Sequence, residues 1–165
     1  MGQPMDEGRF LAPQGQVLPL WHEEGVRTAT LPGFRRIRHR PRDVAWIYVE
    51  APSSESGRWA RLPDRKWDFR RSHLSGLAER QERLLSLAVE SLLPGGVAVY
   101  RTSSLFKEEN EQVVARVLAS RSDVVEWALD LPRGFARRGR PWGYYVLPET
   151  PWADGIFVAI LMRRS

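Results

Sequence analysis

Hydrophobic positions along this chain change period several times, and each change marks an element. Residues 44–49, Val-Ala-Trp-Ile-Tyr-Val, form an unbroken apolar and β-branched run, which predicts a strand buried on both faces, as in a parallel sheet. Over 72–93 apolar residues recur at Leu77, Leu84, Leu85, Ala88 and Leu92, the spacing of an amphipathic helix, and Pro94-Gly95-Gly96 is expected to stop it. A short strand at 97–100 follows. The turn Thr102-Ser103-Ser104 then leads into a second helix over 108–118, with Val113, Val114, Val117 and Leu118 as its buried stripe. Glu108 and Glu109 fall in its first turn, where their charge opposes the positive end of the helix dipole.

The flanks are less regular. Residues 1–15, rich in Gly, Pro and Gln, read as loop, and 16–20 and 26–31 read as short strands, the first broken by Pro19 and so expected at an edge. Another strand is expected at 127–131, a hairpin around 144–147 within an Arg-, Gly- and Pro-rich stretch, and a last strand at 155–162. Strand, helix, strand, helix and paired strands make an α/β pattern, in which ligands sit where strand C-termini meet loops. The loops in question are Glu50-Ala51-Pro52-Ser53-Ser54 and Arg101-Thr102-Ser103-Ser104.

A length of 165 residues is that of one domain. No apolar run approaches the roughly 18 residues of a membrane helix, and the first ten residues lack the apolar core of a secretory signal, so a cytoplasmic home and no membrane partner are expected. With no cysteine, disulfides, thiolate metal sites and cysteine nucleophiles are excluded, and no metal is expected. The net charge of +5 rests on arginine, since Lys66 and Lys107 are the only lysines among 25 basic residues. Arginine forks suit phosphate and stacked bases, which makes a nucleic-acid partner plausible. Genome composition or heat adaptation produces the same bias, so charge alone identifies no ligand. The strips 35–42, with Arg35, Arg36, Arg38 and Arg40, and 133–140 are either solvated segments or phosphate-facing ones.

The two loops resemble signatures of the RNA (cytosine-5)-methyltransferases of the Fmu/Sun type, which carry Asp-Ala-Pro-Cys-Ser after the fourth sheet strand and Thr-Cys-Ser after the fifth. Other landmarks follow in the family's order over about 45–163: Lys66-Trp67, Leu93-Pro94-Gly95-Gly96, Glu108-Glu109-Asn110 and Asp154-Gly155-Ile156-Phe157. The resemblance implies a truncated Rossmann-like S-adenosylmethionine-dependent methyltransferase sheet with its early helices missing. Residues 1–43 would be a reduced N-terminal part and 44–165 the methyltransferase-like C-terminal half.

In that family the cysteine after the fifth strand attacks carbon 6 of cytosine, carbon 5 takes the methyl group of S-adenosylmethionine, and the cysteine after the fourth strand helps release the product. Here both positions are serine, Ser103 and Ser53. Serine needs an adjacent base to act as a nucleophile, and none of His22, His39 and His73 is near either loop in sequence. The catalytic positions are therefore read as degenerate, with Ser53 and Ser104 as turn hydroxyls. Glu50, Pro52, Ser54, Lys66, Thr102 and Ser104 remain substrate-pocket candidates, although Glu50 is one methylene longer than the family aspartate and Glu55 adds charge where the family has a small residue. The family's Gly-rich cofactor loop is matched only by Ala12-Pro13-Gln14-Gly15, and Trp21-His22, followed by Glu23, occupies the place of the ribose-binding acid. No cofactor is expected. The expectation is an RNA-binding protein without catalysis, with two alternatives: a structural or regulatory partner, as a homodimer or beside an active methyltransferase, and an enzyme that still methylates. Missing early helices would bare one sheet face, to be covered by residues 10–20 or by a partner gripping Trp21 and Trp46.

Overall fold

In a computed structural model, the structure describes residues 9–11, 17–22, 25–30, 44–129, 136–139, 141–147, 150 and 153–165. Nine strands and three α-helices are assigned among them: β1 (Arg9–Leu11), β2 (Val17–His22), β3 (Gly25–Thr30), β4 (Val44–Glu50), α1 (Asp64–Asp68), α2 (Leu74–Glu90), β5 (Leu92–Thr102), α3 (Glu111–Ser120), β6 (Val124–Glu126), β7 (Arg137–Arg138), β8 (Tyr144–Val146) and β9 (Ile156–Arg163). Seven strands form one sheet in the order β1-β4-β5-β9-β8-β7, with β6 also on β9. The β1, β4 and β5 strands run parallel, and β9 is antiparallel to β5. This is the α/β sheet expected.

The apolar run at the centre behaves differently from the expectation of two buried faces. Along β4, β5 and β9 burial alternates with the two-residue period of a strand. Val44, Ile47, Val49, Ala98, Tyr100, Phe157, Ala159 and Leu161 point to one side, where α2 supplies Ala78, Leu85, Ala88 and Val89 and α3 supplies Val113, Val114 and Val117. Full burial of each Val or Leu contributes about 1.5–3 kcal/mol, so this layer is where the fold is held. Trp46, Val97, Val99, Ile160 and Met162 alternate to the opposite face and are half-buried. Both faces are apolar, but only one receives the two helices.

Three boundaries also depart from expectation. The α2 helix closes at Ser91, whose amide donates to Leu87 and Ala88 carbonyls, and β5 begins at once. Pro94-Gly95-Gly96 therefore lies inside β5, where Val44 pairs with Leu92 but Trp46 with Val97, an irregularity that Gly95 accommodates at φ 79°. The expected strand at 127–131 is displaced to β6, after which the Trp127 amide adds one more bond to the Ile160 carbonyl. At the front, Arg9–Leu11 is a strand rather than loop, paired with Ile47, Tyr48 and Val49. That part of the 10–20 segment is in the plane of the sheet and not across a face. The β2 and β3 strands pair with each other as a separate two-stranded sheet. No helix among the described residues is long and apolar enough to cross a membrane.

Candidate functional site

The parallel pairing of β4 and β5 brings the loops that follow them side by side. Glu50 stands opposite Arg101, and the Ala51 amide donates to the Arg101 carbonyl at 3.0 Å. Six residues on, the Gly57 amide donates to the Ser103 carbonyl and the Gly155 amide to the Gly57 carbonyl, both at 2.8 Å. A methyl group on Gly57 would lie 1.9 Å from the Gly155 oxygen, so glycine is the residue that lets three loops meet.

A fully buried carboxylate ties the same loops from within. Glu109 is 0% exposed and accepts from the Ser54 amide (2.9 Å), the Gln81 side-chain amide (2.9 Å) and the Ser104 hydroxyl (2.5 Å). Gln81 reaches it from α2 and also donates to the Pro52 carbonyl at 2.8 Å. The hydroxyls of Ser54 and Ser56 lie 3.2 and 3.4 Å from that of Ser104, and Ser56 accepts the Leu105 amide. A buried carboxylate is tolerated when several donors satisfy it, as here. Glu109 is thus not a first-turn helix residue: it sits in a 3-10 turn (Lys107–Glu109), and Glu111 opens α3.

Next to this knot, Thr102 donates to the Asn110 side-chain oxygen at 2.6 Å, and the Asn110 amide donates to the Ser104 carbonyl and to the Tyr145 hydroxyl. Tyr145 in turn donates to Glu111 at 2.6 Å, fastening β8 to the start of α3. Burial and Glu111 push the Tyr145 phenol upward, and burial pushes that of Tyr100 well upward, so both remain donors. The Tyr100 hydroxyl donates a hydrogen bond to the Glu109 backbone carbonyl at 2.7 Å. On the outer rim, the Arg61 guanidinium, helped by Arg58, holds the Asp154 carboxyl down at about 2.

Ser53, Ser54, Thr102, Ser103 and Ser104 are therefore brought together, with Pro52 held through its carbonyl. The hydroxyls of Ser53 and Ser104 accept the Glu55 and Phe106 amides, as turn residues do. Ser103 is nearly buried, and among the described residues no carboxylate or imidazole bonds its hydroxyl. The Glu50 carboxylate is engaged by Arg101 in an ion pair, a partner that strand register reveals and sequence order does not. Lys66 stands apart, exposed on α1. Arg35, Arg36, Arg38 and Arg40 lie outside the described residues, as do the strip 133–140 except for 136–139 and the loop 12–15. Sequence reasoning missed Gln81, Glu109, Glu111 and Tyr145 as members of this network; the Glu-Glu-Asn signature beside the second loop was the available signal.

A nucleoside cofactor of the family's kind would need a loop and helix between the first two sheet strands. Residues 12–16 separate β1 from β2, too few for a helix directly after β1, and β2 pairs with β3 outside the larger sheet, so the parallel strands β1 and β4 are joined through 12–43. Among the described residues between β1 and β4 there is no helix into which such a loop could lead.

The family model for 16S rRNA methyltransferase RsmB/F matches residues 34–162. Ribosomal RNA small subunit methyltransferase B of Klebsiella pneumoniae (strain 342) is 35% identical over 118 residues, covering 72% of this chain and 26% of that protein. Ribosomal RNA small subunit methyltransferase F of Serratia proteamaculans (strain 568) is 32% identical over 127 residues, covering 75% and 27%. Among solved structures, that of PH0851 superimposes with a TM-score of 0.67 at 26% identity, over 73% of this chain and 27% of that one. NSun6 from Pyrococcus horikoshii, solved with SFG, gives 0.58 at 26% identity, over 72% and 30%. The chain spans about a quarter of the length of the curated relatives it matches. With matched residues running from before β4 to the end of β9, this chain belongs to the 16S rRNA methyltransferase RsmB/F family.

Proposed function

We propose that this chain is an RNA-binding relative of the rRNA cytosine-5 methyltransferases that does not itself transfer methyl groups, acting in the cytoplasm. The observation that carries this reading is the state of the two catalytic positions. Ser103 has no base bonded to it among the described residues, and the one serine hydroxyl that donates to a carboxylate, Ser104, is fully buried and one residue out of place. The short link between β1 and β2 supports the loss of S-adenosylmethionine binding. In this reading residues 1–43 are a reduced N-terminal part, and Arg35, Arg36, Arg38 and Arg40 contact the RNA backbone.

Filter binding of 16S rRNA fragments over a range of KCl, run beside transfer of labelled methyl from S-adenosylmethionine, tests it. Affinity that falls with salt and no incorporated label are expected. Alanine at the four arginines should flatten the salt slope by roughly 0.7–0.9 for each phosphate that is no longer neutralised. Label in cytosine, or micromolar cofactor binding by calorimetry, overturns it. A second reading, a homodimer or a partner of an active methyltransferase, draws support from the apolar positions Trp46, Val97, Val99, Ile160 and Met162 on the sheet face away from α2 and α3. A strictly monomeric mass by light scattering argues against the homodimer.

A further inference from the structure

Between the loop that follows β4 and α2, residues 58–71 hold Arg58, Arg61, Arg65, Lys66, Arg70 and Arg71 and also Trp67, which at 82% exposure is the most exposed large hydrophobic side chain among the described residues. A single exposed indole means little by itself. Its surroundings give it meaning. Two residues on, Phe69 is packed into a three-ring cluster with Trp59 and Phe106, at centroid distances of 5.1–5.8 Å, which pins α1 against the loop that follows β5. The helix is thus anchored by its neighbours while Trp67 is left in water on a fixed base.

The charges around it divide into two groups. Arg58 and Arg61 are engaged by Asp154, Arg65 by Glu55 and Arg71 by Glu108. Lys66 and Arg70 have no acidic partner within reach among the described residues and are exposed. On α1 itself Asp64 and Asp68 share one side of the turn, which puts Lys66 on the opposite one. Trp67 follows Lys66 directly and precedes Arg70 by three residues, with Asp64 and Asp68 on its other flank; an exposed aromatic face with uncommitted cations close by in the chain suits a stacked base and an adjacent phosphate.

We infer that α1 is a contact for single-stranded RNA, in which Trp67 stacks on an unpaired base and Lys66 and Arg70 take the adjacent phosphates. This rests on the RNA-binding reading above and assigns it a surface beside the loops of the site. Stacking needs an unstacked base, so a duplex cannot use it.

Fluorescence anisotropy with a labelled RNA of about 12 nucleotides, single-stranded or annealed to its complement, separates the outcomes. Trp67→Ala is expected to weaken single-strand affinity roughly fivefold or more and to leave duplex affinity unchanged, while Trp67→Phe recovers most of the loss. The Lys66→Ala/Arg70→Ala double variant should lower the slope of log affinity against log salt by about 1.4 on the single strand, at roughly 0.7 per phosphate. Unchanged single-strand affinity in Trp67→Ala, or an equal loss on the duplex, overturns the inference while the RNA reading stands. A change in the mass of the chain by light scattering, with RNA affinity intact, marks the surface as a protein contact and also overturns it. No RNA binding by the wild-type chain at any salt defeats the parent reading and this one with it.

Discussion

The Ser104 hydroxyl is bonded to the Glu109 carboxylate in the closed space between the β4 and β5 loops, one residue past the position where the family holds its nucleophile. The site keeps a carboxylate and a hydroxyl in contact, but they serve to join loops.

Restoring sulfur should therefore not restore chemistry. On the proposed reading, a Ser53→Cys/Ser103→Cys variant supplies both thiols to a chain that does not bind the methyl donor. We expect no methyl transfer to cytosine-containing RNA, measured with labelled S-adenosylmethionine; incorporation above background would contradict the reading of the front half.

Removing the carboxylate should cost stability. Glu109→Ala strips an acceptor from the part-buried Ser54 amide and from the buried Gln81 and Ser104 side chains at once. Unfilled donors cost about 1–3 kcal/mol apiece before relaxation, so a total near 3 kcal/mol is expected. Urea denaturation reads this as a lower midpoint, and an unchanged midpoint would show that water takes over the knot.

Gly57→Ala probes the same junction through sterics. With the added carbon 1.9 Å from a backbone oxygen, the loops after β4 and β5 and the turn before β9 must separate. We expect a loss of about 2 kcal/mol or more and faster exchange of the Gly57 and Gly155 amides. Wild-type exchange rates at both would mean the junction shifts without opening.

The parts of the fold that were legible are those where period and turn chemistry agree. The β9 strand, the α3 stripe and the buried Leu85 and Ala88 of α2 follow from spacing, whereas Ala78, Gln81 and Val89 face the core in place of the expected Leu77, and β7, the partner of β8, was not foreseen. Glu109 was not legible, because a carboxylate beside a helix start ordinarily faces water and its burial depends on donors from three separate segments. Pro94-Gly95-Gly96 has the composition of a helix stop and serves instead as an irregularity within β5. The run of β4 is apolar on both faces, and hydrophobicity does not say which face receives helices. The two serines were readable as a departure from the family pattern, whereas the Arg101 partner of Glu50 required the β4–β5 register.

Acid should weaken the outer rim. The Asp154 carboxyl titrates at about 2 in the folded chain, against roughly 3.9 when unfolded. The unfolded state therefore binds the proton more readily, so the stability from Arg61 and Arg58 is fully present above about pH 5 and is lost as pH falls through about 2. Asp154→Asn should lower stability at neutral pH and lose less between about pH 5 and 2 than wild type does. Parallel stability curves for the two proteins would rule this out.

Glu55 occupies the left-handed region at φ 56°, a conformation that costs a side-chain-bearing residue about 1 kcal/mol or more. Its carboxylate is held by Arg58 at 3.2 Å and Arg65 at 3.6 Å, at the surface, where mobile ions weaken such pairs. The turn is a spring closed by an electrostatic latch. Salt that screens these two pairs leaves the left-handed turn beside Ser53 with less to offset its conformational cost, so that turn is the part of the rim whose geometry depends on ionic strength.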